Sequence, residues 1–89
     1  MSVEQIESFV AVAESGGLRD AARRLHITLP PLSRRIRALE DELGTELFER
    51  RARGMALTPA GHTFLPHARG ILAAIALAAR SVAADPPAT

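Results

Sequence analysis

The sequence predicts a mainly α-helical protein with four helices and one small β-hairpin. Four stretches repeat apolar residues at spacings of three and four, which is the pattern of one face of a helix. Glycines and prolines lie between these stretches, where helices begin and end. An arginine-bearing stretch before the last helix lacks this spacing and has the pattern of two short strands. The 89 residues are enough for one small domain, or for one domain with an appended helix.

The first helix is predicted to begin after Ser2 and to end at Gly16-Gly17. Ser2 and Gln5 have the spacing of a capping box, in which two side chains bond the free amides of a helix start. The inward-facing stripe of this helix consists of Ile6, Phe9, Val10 and Ala13. A shorter second helix is predicted at about Leu18–Leu25, and His26-Ile27 then forms a tight helix corner.

The third helix is predicted between Thr28, its N-terminal cap, and Gly44, where it ends. Pro30 and Pro31 lie in its first turn, where proline is tolerated because those amides have no partner within the helix. An apolar stripe on one face predicts contact with a core, and it consists of Leu32, Ile36, Leu39 and Leu43. The opposite face carries Pro30, Arg34, Arg37 and Asp41, with Ser33 on its flank.

Charge is sorted along the third helix. Arginines come first, at positions 34, 35 and 37, and acidic residues follow at positions 40 to 42. Carboxylates near a helix C-terminus oppose the macrodipole, so local helix stability does not explain them. Two interpretations are open. The helix enters DNA with its N-terminal half and keeps its acidic end away from phosphates, or it is a solvated helix in which Arg37 pairs with Asp41 one turn away.

Two short extended segments follow the third helix. Leu47–Arg50 and Met55–Thr58 flank Arg51–Gly54, which predicts a β-hairpin with arginines at its tip. The alternative is an irregular loop whose arginines are solvated.

The fourth helix is predicted from Pro59, behind the cap Thr58, to about Ala84, where Asp85–Pro87 stops it. Its length would be about 39 Å at a rise of 1.5 Å per residue. Heptad spacing predicts a helix-pairing seam, formed by Phe64, Ala68, Ile71, Ile75, Ala78 and Val82. A second copy of this helix is the simplest partner for so much apolar surface. The alternative is that the helix folds back on its own domain.

Composition and charge exclude several classes of function. The formal net charge of +1 argues little for nucleic acid by itself, but nine of the eleven arginines lie between Arg19 and Arg53. The chain has no cysteine, no glycine-rich phosphate loop and no nucleophile–base pair, so neither an enzyme nor a cofactor is expected. His62 and His67 do not share a helix face, which argues against a metal site, and His26 is interpreted as structural.

Localisation is predicted from the absence of an apolar targeting segment. Met1 leads directly into a charged amphipathic pattern, so no signal peptide is expected. The longest apolar run, Ile71–Ala79, is too short to span a bilayer. We therefore expect a cytoplasmic protein with no membrane partner.

Three helices, a tight turn before the third, a basic hairpin and a long exit helix make a winged helix-turn-helix. Beyond this architecture, four motifs resemble the amino-terminal domain of LysR-type transcriptional regulators, and the resemblance covers nearly the whole chain. They are FVAVAE (Phe9–Glu14), AARRLHIT (Ala21–Thr28), PLSRRIRALEDELGTELFER (Pro31–Arg50) and LTPAG (Leu57–Gly61).

The resemblance implies sequence-specific binding of double-stranded DNA by a homodimer. In the family the third helix enters the major groove, the wing touches the backbone, and the exit helices pair antiparallel over a near-palindromic operator. Carried onto this chain, the DNA-contacting positions are Thr28, Leu29, Pro30, Ser33, Arg34 and the wing residue Arg53. Charge and helix facing add Arg37, Arg50 and Arg51. The expected domains are 1–58 for DNA binding, 59–84 for linking and dimerisation, and 85–89 as a flexible tail.

The chain departs from the family pattern in three ways. Leu29 stands where glutamine is common, so an apolar contact would replace a possible pair with adenine; Leu29 could also point partly to the core. Gly16–Leu18 replaces Gly-Ser-Phe, which removes a helix cap and a core ring. The family's effector-binding domain is absent, so a small-molecule effector would act only through a domain outside this chain. The chain itself is either an excised domain or a natural short form.

A function of another class is also open. The apolar exit helix could make the chain a protein-interaction module that pairs with other regulators without reading DNA. Leu29 argues weakly for this function, and the retained Ser33, Arg34 and Arg53 argue against it.

Overall fold

The structure is a computed structural model that describes residues 1–84. Its elements in chain order are α1 (Val3–Ser15), α2 (Leu18–Leu25), α3 (Leu29–Leu43), β1 (Phe48–Arg51), β2 (Gly54–Leu57) and α4 (Pro59–Ala84). Helices α1 to α3 pack together, β1 and β2 form an antiparallel hairpin, and α4 packs on α1 before it extends away. The predicted winged helix-turn-helix with a long exit helix is confirmed. The predicted tail, 85–89, lies outside the described residues.

Two of the three predicted helix caps form as expected. Ser2 Oγ accepts a hydrogen bond from the Gln5 amide at 3.1 Å, and Gln5 Oε1 accepts from the Ser2 amide at 3.0 Å, so the capping box is complete. Thr58 Oγ1 accepts from the Gly61 amide at 3.1 Å and donates to the Glu46 carbonyl at 2.7 Å. Thr28 has the extended backbone of a cap, but its side chain makes no capping bond.

The core is centred on Phe9, which is fully buried. Its ring centroid lies 5.2 Å from that of Phe48 at the base of the hairpin and 5.1 Å from that of Phe64 on α4. Aromatic rings at these separations attract beyond the effect of simple burial. One residue therefore joins α1, the hairpin and the exit helix, which holds the hairpin and α4 in fixed positions relative to the three helices.

The predicted stripe of α3 is correct for three of its four members. Leu32, Ile36 and Leu39 are buried, whereas Leu43 is 36% exposed. The prediction for Leu43 is wrong because α3 continues one turn beyond its last buried residue before Gly44 ends it.

The predicted seam of α4 divides into two parts with different environments. Ala68 is buried and Phe64 packs against the core of the same chain, so the alternative in which α4 folds back holds for its first half. From Ile71 onward the seam is exposed, and Val82 is 73% exposed. Heptad spacing is the same in both parts, so it could not separate the residues that this chain covers from those that it leaves uncovered.

Helix α4 contains an internal proline, Pro66. Pro66 lies inside the helix, where its ring nitrogen cannot donate to the carbonyl of His62 four residues before it. The helix nevertheless continues to Ala84. Pro66 is exposed to solvent, so the freed carbonyl is on a side of the helix where water can reach it.

Helix α4 resembles a membrane span in its length and in its apolar composition. With 26 residues it is long enough to cross a bilayer, and an 18-residue stretch of it has a mean hydropathy of 1.2, which is apolar enough by composition alone. The prediction considered only the longest uninterrupted apolar run, Ile71–Ala79, whereas a longer stretch is apolar enough on average even though α4 contains Arg69 and Arg80. One helix of this kind is weak evidence for a membrane span, because the helices of water-soluble proteins can pass the same test.

Candidate nucleic-acid interface

The hairpin is tightly closed and is fixed to the helices by backbone contacts. Arg51 pairs with Gly54, which leaves Ala52 and Arg53 as a two-residue turn at the tip. Gly54 has a φ of +89°, and a Cβ at this position would overlap the carbonyl oxygen of Gly16. The Met55 amide donates to that same carbonyl at 3.0 Å. Strand β2 is thus seated on the corner between α1 and α2, and this seating fixes the direction of the wing.

The first half of α3 presents the predicted contact residues to solvent. Four of them are exposed, namely Thr28, Pro30, Arg34 and Arg37, and Ser33 is half-buried. Leu29 is 37% exposed, so it is not a core residue. Because Pro30 and Pro31 lack amide hydrogens, this helix start offers fewer N–H donors to an anion than most helix starts do. Side chains must supply the missing donors.

Two grooves connect α3 with the wing. The smaller, of about 400 Å³, lies between the starts of α2 and α3 and the hairpin, and its lining includes Leu29, Arg50 and Arg51. The larger, of about 790 Å³, runs between α3 and β1, and its lining includes Ser33, Arg37 and Arg50. Arg50 borders both grooves. Together the two grooves are lined by five of the predicted residues. The other four line neither groove, namely Thr28, Pro30, Arg34 and the wing-tip residue Arg53.

The arginines of this surface have few carboxylate partners. Among residues 1–84, the ion pairs include none formed by Arg34, Arg37, Arg50 or Arg53. The interpretation in which Arg37 pairs with Asp41 is therefore wrong for this structure. Arg51 is 3.5 Å from Glu49, and both side chains are largely exposed. An ion pair of that kind is weak in water, so it leaves the Arg51 guanidinium accessible to another anion.

The acidic end of α3 has structural tasks that the sequence did not reveal. Glu40 Oε2 accepts hydrogen bonds from the backbone amides of Leu47 at 2.7 Å and Phe48 at 3.3 Å. Glu42 Oε1 lies 2.6 Å from the amino group of Met1. Glu40 thereby holds the start of the wing against α3, which accounts for a carboxylate that the helix macrodipole disfavours. No structural role was predicted from the sequence for Glu40 or Gly54. Only Gly54 had a signal in the sequence, because a glycine directly after a two-residue turn is typical of a tight hairpin.

The histidines take no part in this surface. His26 adopts a left-handed backbone conformation with a φ of +56° and ends α2, where its amide donates to the carbonyls of Ala22 and Arg23. His62 and His67 are exposed on α4.

The comparisons with known proteins agree on one family. The family of bacterial regulatory helix-turn-helix proteins called lysR matches residues 3–62. The HTH-type transcriptional regulator TfdT of Cupriavidus pinatubonensis is 52% identical over 80 residues, which are 90% of this chain and 35% of that protein. The regulator ClcR of Pseudomonas putida is 56% identical over 72 residues, which are 81% of this chain and 24% of that protein. The chain thus spans about a quarter to a third of the length of these relatives.

Solved structures share the whole fold, including the exit helix. A complex of the CbnR DNA-binding domain with DNA matches with a TM-score of 0.88 and 48% identity, and the match covers 94% of this chain and 98% of that one. A complex of the BenM DNA-binding domain with the benA site 1 DNA matches with a TM-score of 0.87 and 39% identity, over 92% of this chain and 95% of that one. Shared sequence over residues 3–62 and shared architecture over nearly the whole length lead to one conclusion: the chain belongs to the LysR family of bacterial regulatory helix-turn-helix proteins.

Proposed function

We propose that this chain is the DNA-binding part of a LysR-type transcriptional regulator and that it binds double-stranded DNA as a homodimer. The observation that carries the proposal is the surface formed by the first half of α3 and the wing. Its solvent-exposed arginines include four that have no carboxylate partner within residues 1–84, namely Arg34, Arg37, Arg50 and Arg53. Such a surface attracts phosphates, because binding them releases the counterions that surround DNA. Relatives with the same fold are solved in complex with DNA.

Within this proposal α3 and the wing have different tasks. The exposed face of α3 enters the major groove and reads base edges, with Thr28, Leu29, Pro30, Ser33, Arg34 and Arg37 as the contact residues. Leu29 would offer a thymine methyl group an apolar contact. The wing carries Arg50, Arg51 and Arg53 to the phosphates, which position the domain without reading the sequence.

The exit helix gives the proposed molecule its twofold symmetry. Residues 59–84 pair with a second copy through the exposed part of the seam, namely Ile71, Ile75, Ala78 and Val82, while residues 1–58 bind DNA. Two such domains fit a near-palindromic operator. Members of this family are bacterial regulatory proteins, and relatives are solved in complex with DNA, so we place the protein in the cytoplasm. A pairing helix explains the hydropathy of α4, and α4 aligns with the exit helix of DNA-bound relatives, which disfavours a membrane span. An effector would act through a domain outside this chain.

The alternative, a protein-interaction module that does not read DNA, lacks a supporting observation of its own. Its strongest argument was Leu29, but leucine at an exposed position on the groove is compatible with base contact. The protein-interaction alternative also does not explain why arginines of α3 and the wing lack carboxylate partners within residues 1–84.

The test of the proposed function is the salt dependence of DNA binding. The parent chain is expected to bind duplex DNA, with log affinity falling linearly as log salt rises, because several arginines displace counterions from phosphates. Fluorescence anisotropy with a labelled duplex, measured from low to moderate salt, gives the slope. No binding at low salt, or an affinity that does not change with salt, would rule the proposal out.

Arg34 and Arg53 are expected to separate the reading of bases from the binding of phosphates. Arg53→Ala should weaken binding to all sequences alike and should reduce the salt slope by about one unit, because it removes one phosphate contact. Arg34→Ala should cost about 1–3 kcal/mol more on a selected site than on random DNA if the guanidinium reads a base. Anisotropy titrations on both kinds of duplex distinguish the two. Equal losses on both for Arg34→Ala would make Arg34 a phosphate contact instead.

A further inference from the structure

The exit helix leaves the core at a point where its backbone is easily bent. Its last buried residue is Ala68, and from residue 73 onward every described side chain is exposed. Pro66 removes one hydrogen bond from the helix just before this point. Gly70 follows it, and glycine in a helix interior costs about 1 kcal/mol relative to alanine. The local sequence therefore does little to set the direction of the exposed half of α4.

One carboxylate joins this point to two other helices. Arg69, between Pro66 and Gly70, donates from Nε and from Nη2 to Glu14 Oε2, both at 3.1 Å. The other oxygen, Glu14 Oε1, accepts from Arg24 Nη1 at 2.7 Å. Glu14 lies near the C-terminus of α1, and Arg24 lies on α2. The three residues therefore connect the exit helix with α1 and α2, the two helices that pack against α3.

The electrostatics of this cluster favour a charged Glu14. The hydrogen bond from the Arg24 guanidinium lowers the pKa of Glu14 below its ordinary value, with Arg69 acting in the same direction and partial burial opposing both. The side chain of Glu14 is 32% exposed, so the cluster is at the surface and its contribution to stability is small. Arg69 donates two hydrogen bonds to one oxygen of Glu14. This contact restricts the relative orientation of the two side chains more than it adds free energy.

A small change of angle at Arg69 becomes a large displacement at the end of the helix. Ala84 lies fifteen positions after Arg69, which is a distance of about 22 Å along the helix at 1.5 Å per residue. A tilt of about 10° would move the far end by about 4 Å, which is close to the length of one base-pair step in a duplex whose turn of about 34 Å holds about 10 pairs. The angle at this point thus translates into the separation of two recognition helices.

We propose that Glu14 is a positioning residue that sets the angle between the exit helix and the DNA-reading helices, and so sets the spacing of the two half-sites that a dimer accepts. The inference rests on the proposed function of DNA binding by a dimer. If the connection between the exit helix and the DNA-reading helices is rigid, the second domain has a high effective concentration at one half-site spacing only. If the connection is flexible, that effective concentration is distributed over several spacings. Glu14 therefore affects specificity for operator spacing rather than contact with any base.

The experiment measures affinity for duplexes in which the two half-sites are moved apart or together by one and two base pairs. For the parent chain we expect a loss of about 10-fold for each single-pair change; for Glu14→Ala and Arg69→Ala we expect a loss below about 3-fold. Affinity for a duplex with one half-site should stay within about 2-fold of the parent value. The control is Arg23→Ala, which breaks an exposed ion pair with Asp20 on α2 and should leave the spacing profile unchanged.

The outcomes separate this inference from the proposed function. A spacing profile as narrow in both variants as in the parent would overturn the role of Glu14, as would an equal loss on every duplex including the single half-site. Melting curves identify any variant that fails to fold, and Arg69→Ala tests the same contact from its other side. If the parent chain bound no half-site at all, the proposed function itself would be wrong.

Discussion

Replacing Ile71 and Ile75 together by aspartate is expected to convert the dimer into monomers. Both side chains lie on the exposed part of the seam, at 38% and 43% exposure, so the core of one chain does not cover them. Burying a large apolar side chain contributes about 1.5–3 kcal/mol. A dimer contains four such side chains, and the change removes all of them and places four carboxylates where the two helices meet. Sedimentation velocity gives the oligomeric state directly.

The same double variant should separate binding of an operator from binding of a half-site. Affinity for a duplex with two half-sites should fall by about 100-fold or more, because the second binding event is no longer intramolecular. Affinity for one half-site should change little, since neither residue lies near α3 or the wing.

The matched control is Ala73→Asp with Leu77→Asp. It adds the same number of charges at the same four-residue spacing, but on the opposite face of α4, because each position lies two residues beyond its seam counterpart and two residues turn a helix by about 200°. Leu77 is 57% exposed. A parent chain that is monomeric at tens of micromolar would contradict the proposed dimer. So would a seam variant that stays dimeric, or a control that dissociates as fully as the seam variant.

Replacing Gly54 by alanine is expected to destabilise the domain by about 3–5 kcal/mol. Left-handed backbone costs an alanine about 1–2 kcal/mol relative to glycine, and the new Cβ would overlap the carbonyl oxygen of Gly16. Relief of this overlap requires β2 to move away, which breaks the hydrogen bond from Met55 and adds about 0.5–1.5 kcal/mol. Displaced packing adds about 1–3 kcal/mol. Urea unfolding monitored by circular dichroism measures the difference.

Gly16 and Gly70 provide controls for the loss of stability expected in Gly54→Ala. Gly16 also has a positive φ, of +74°, but a Cβ there would meet nothing within 4 Å, so Gly16→Ala reports the backbone cost alone. Gly70 lies inside α4 in open space, and Gly70→Ala should stabilise the helix by up to about 1 kcal/mol. If Gly54→Ala cost no more than Gly16→Ala, the seating of β2 on the α1–α2 corner would not be what fixes the wing.

The helices of this protein could be derived from local pattern, because their signals lie within a few residues of one another. The capping box of Ser2 and Gln5, the cap at Thr58 and the glycines at 16 and 44 place the ends of the helices where the structure has them. These signals are chemical: a side-chain oxygen must meet a free amide, and a left-handed residue must end the helix. The resemblance to the LysR family was likewise carried by contiguous motifs.

Only some of the candidate contact residues followed from local pattern. Helical spacing places Arg34 and Arg37 opposite the buried stripe, whereas Thr28 and Arg53 were identified through the resemblance to the family. Whether those arginines were free could not be derived. The pairing of Arg37 with Asp41 has suitable spacing, and only the three-dimensional arrangement shows that it does not form.

Contacts between residues distant in sequence were decided by the tertiary structure. Heptad spacing continues through Phe64, Ala68 and Ile71 without a break, yet Phe64 packs against Phe9 whereas Ile71 remains 38% exposed. Glu14 meets Arg69 across 55 positions, and Gly54 meets Gly16 across 38. A sequence pattern reports which face of an element is apolar, but not where the neighbouring element ends. That end point separates the core of this domain from the surface that we propose pairs with a second copy.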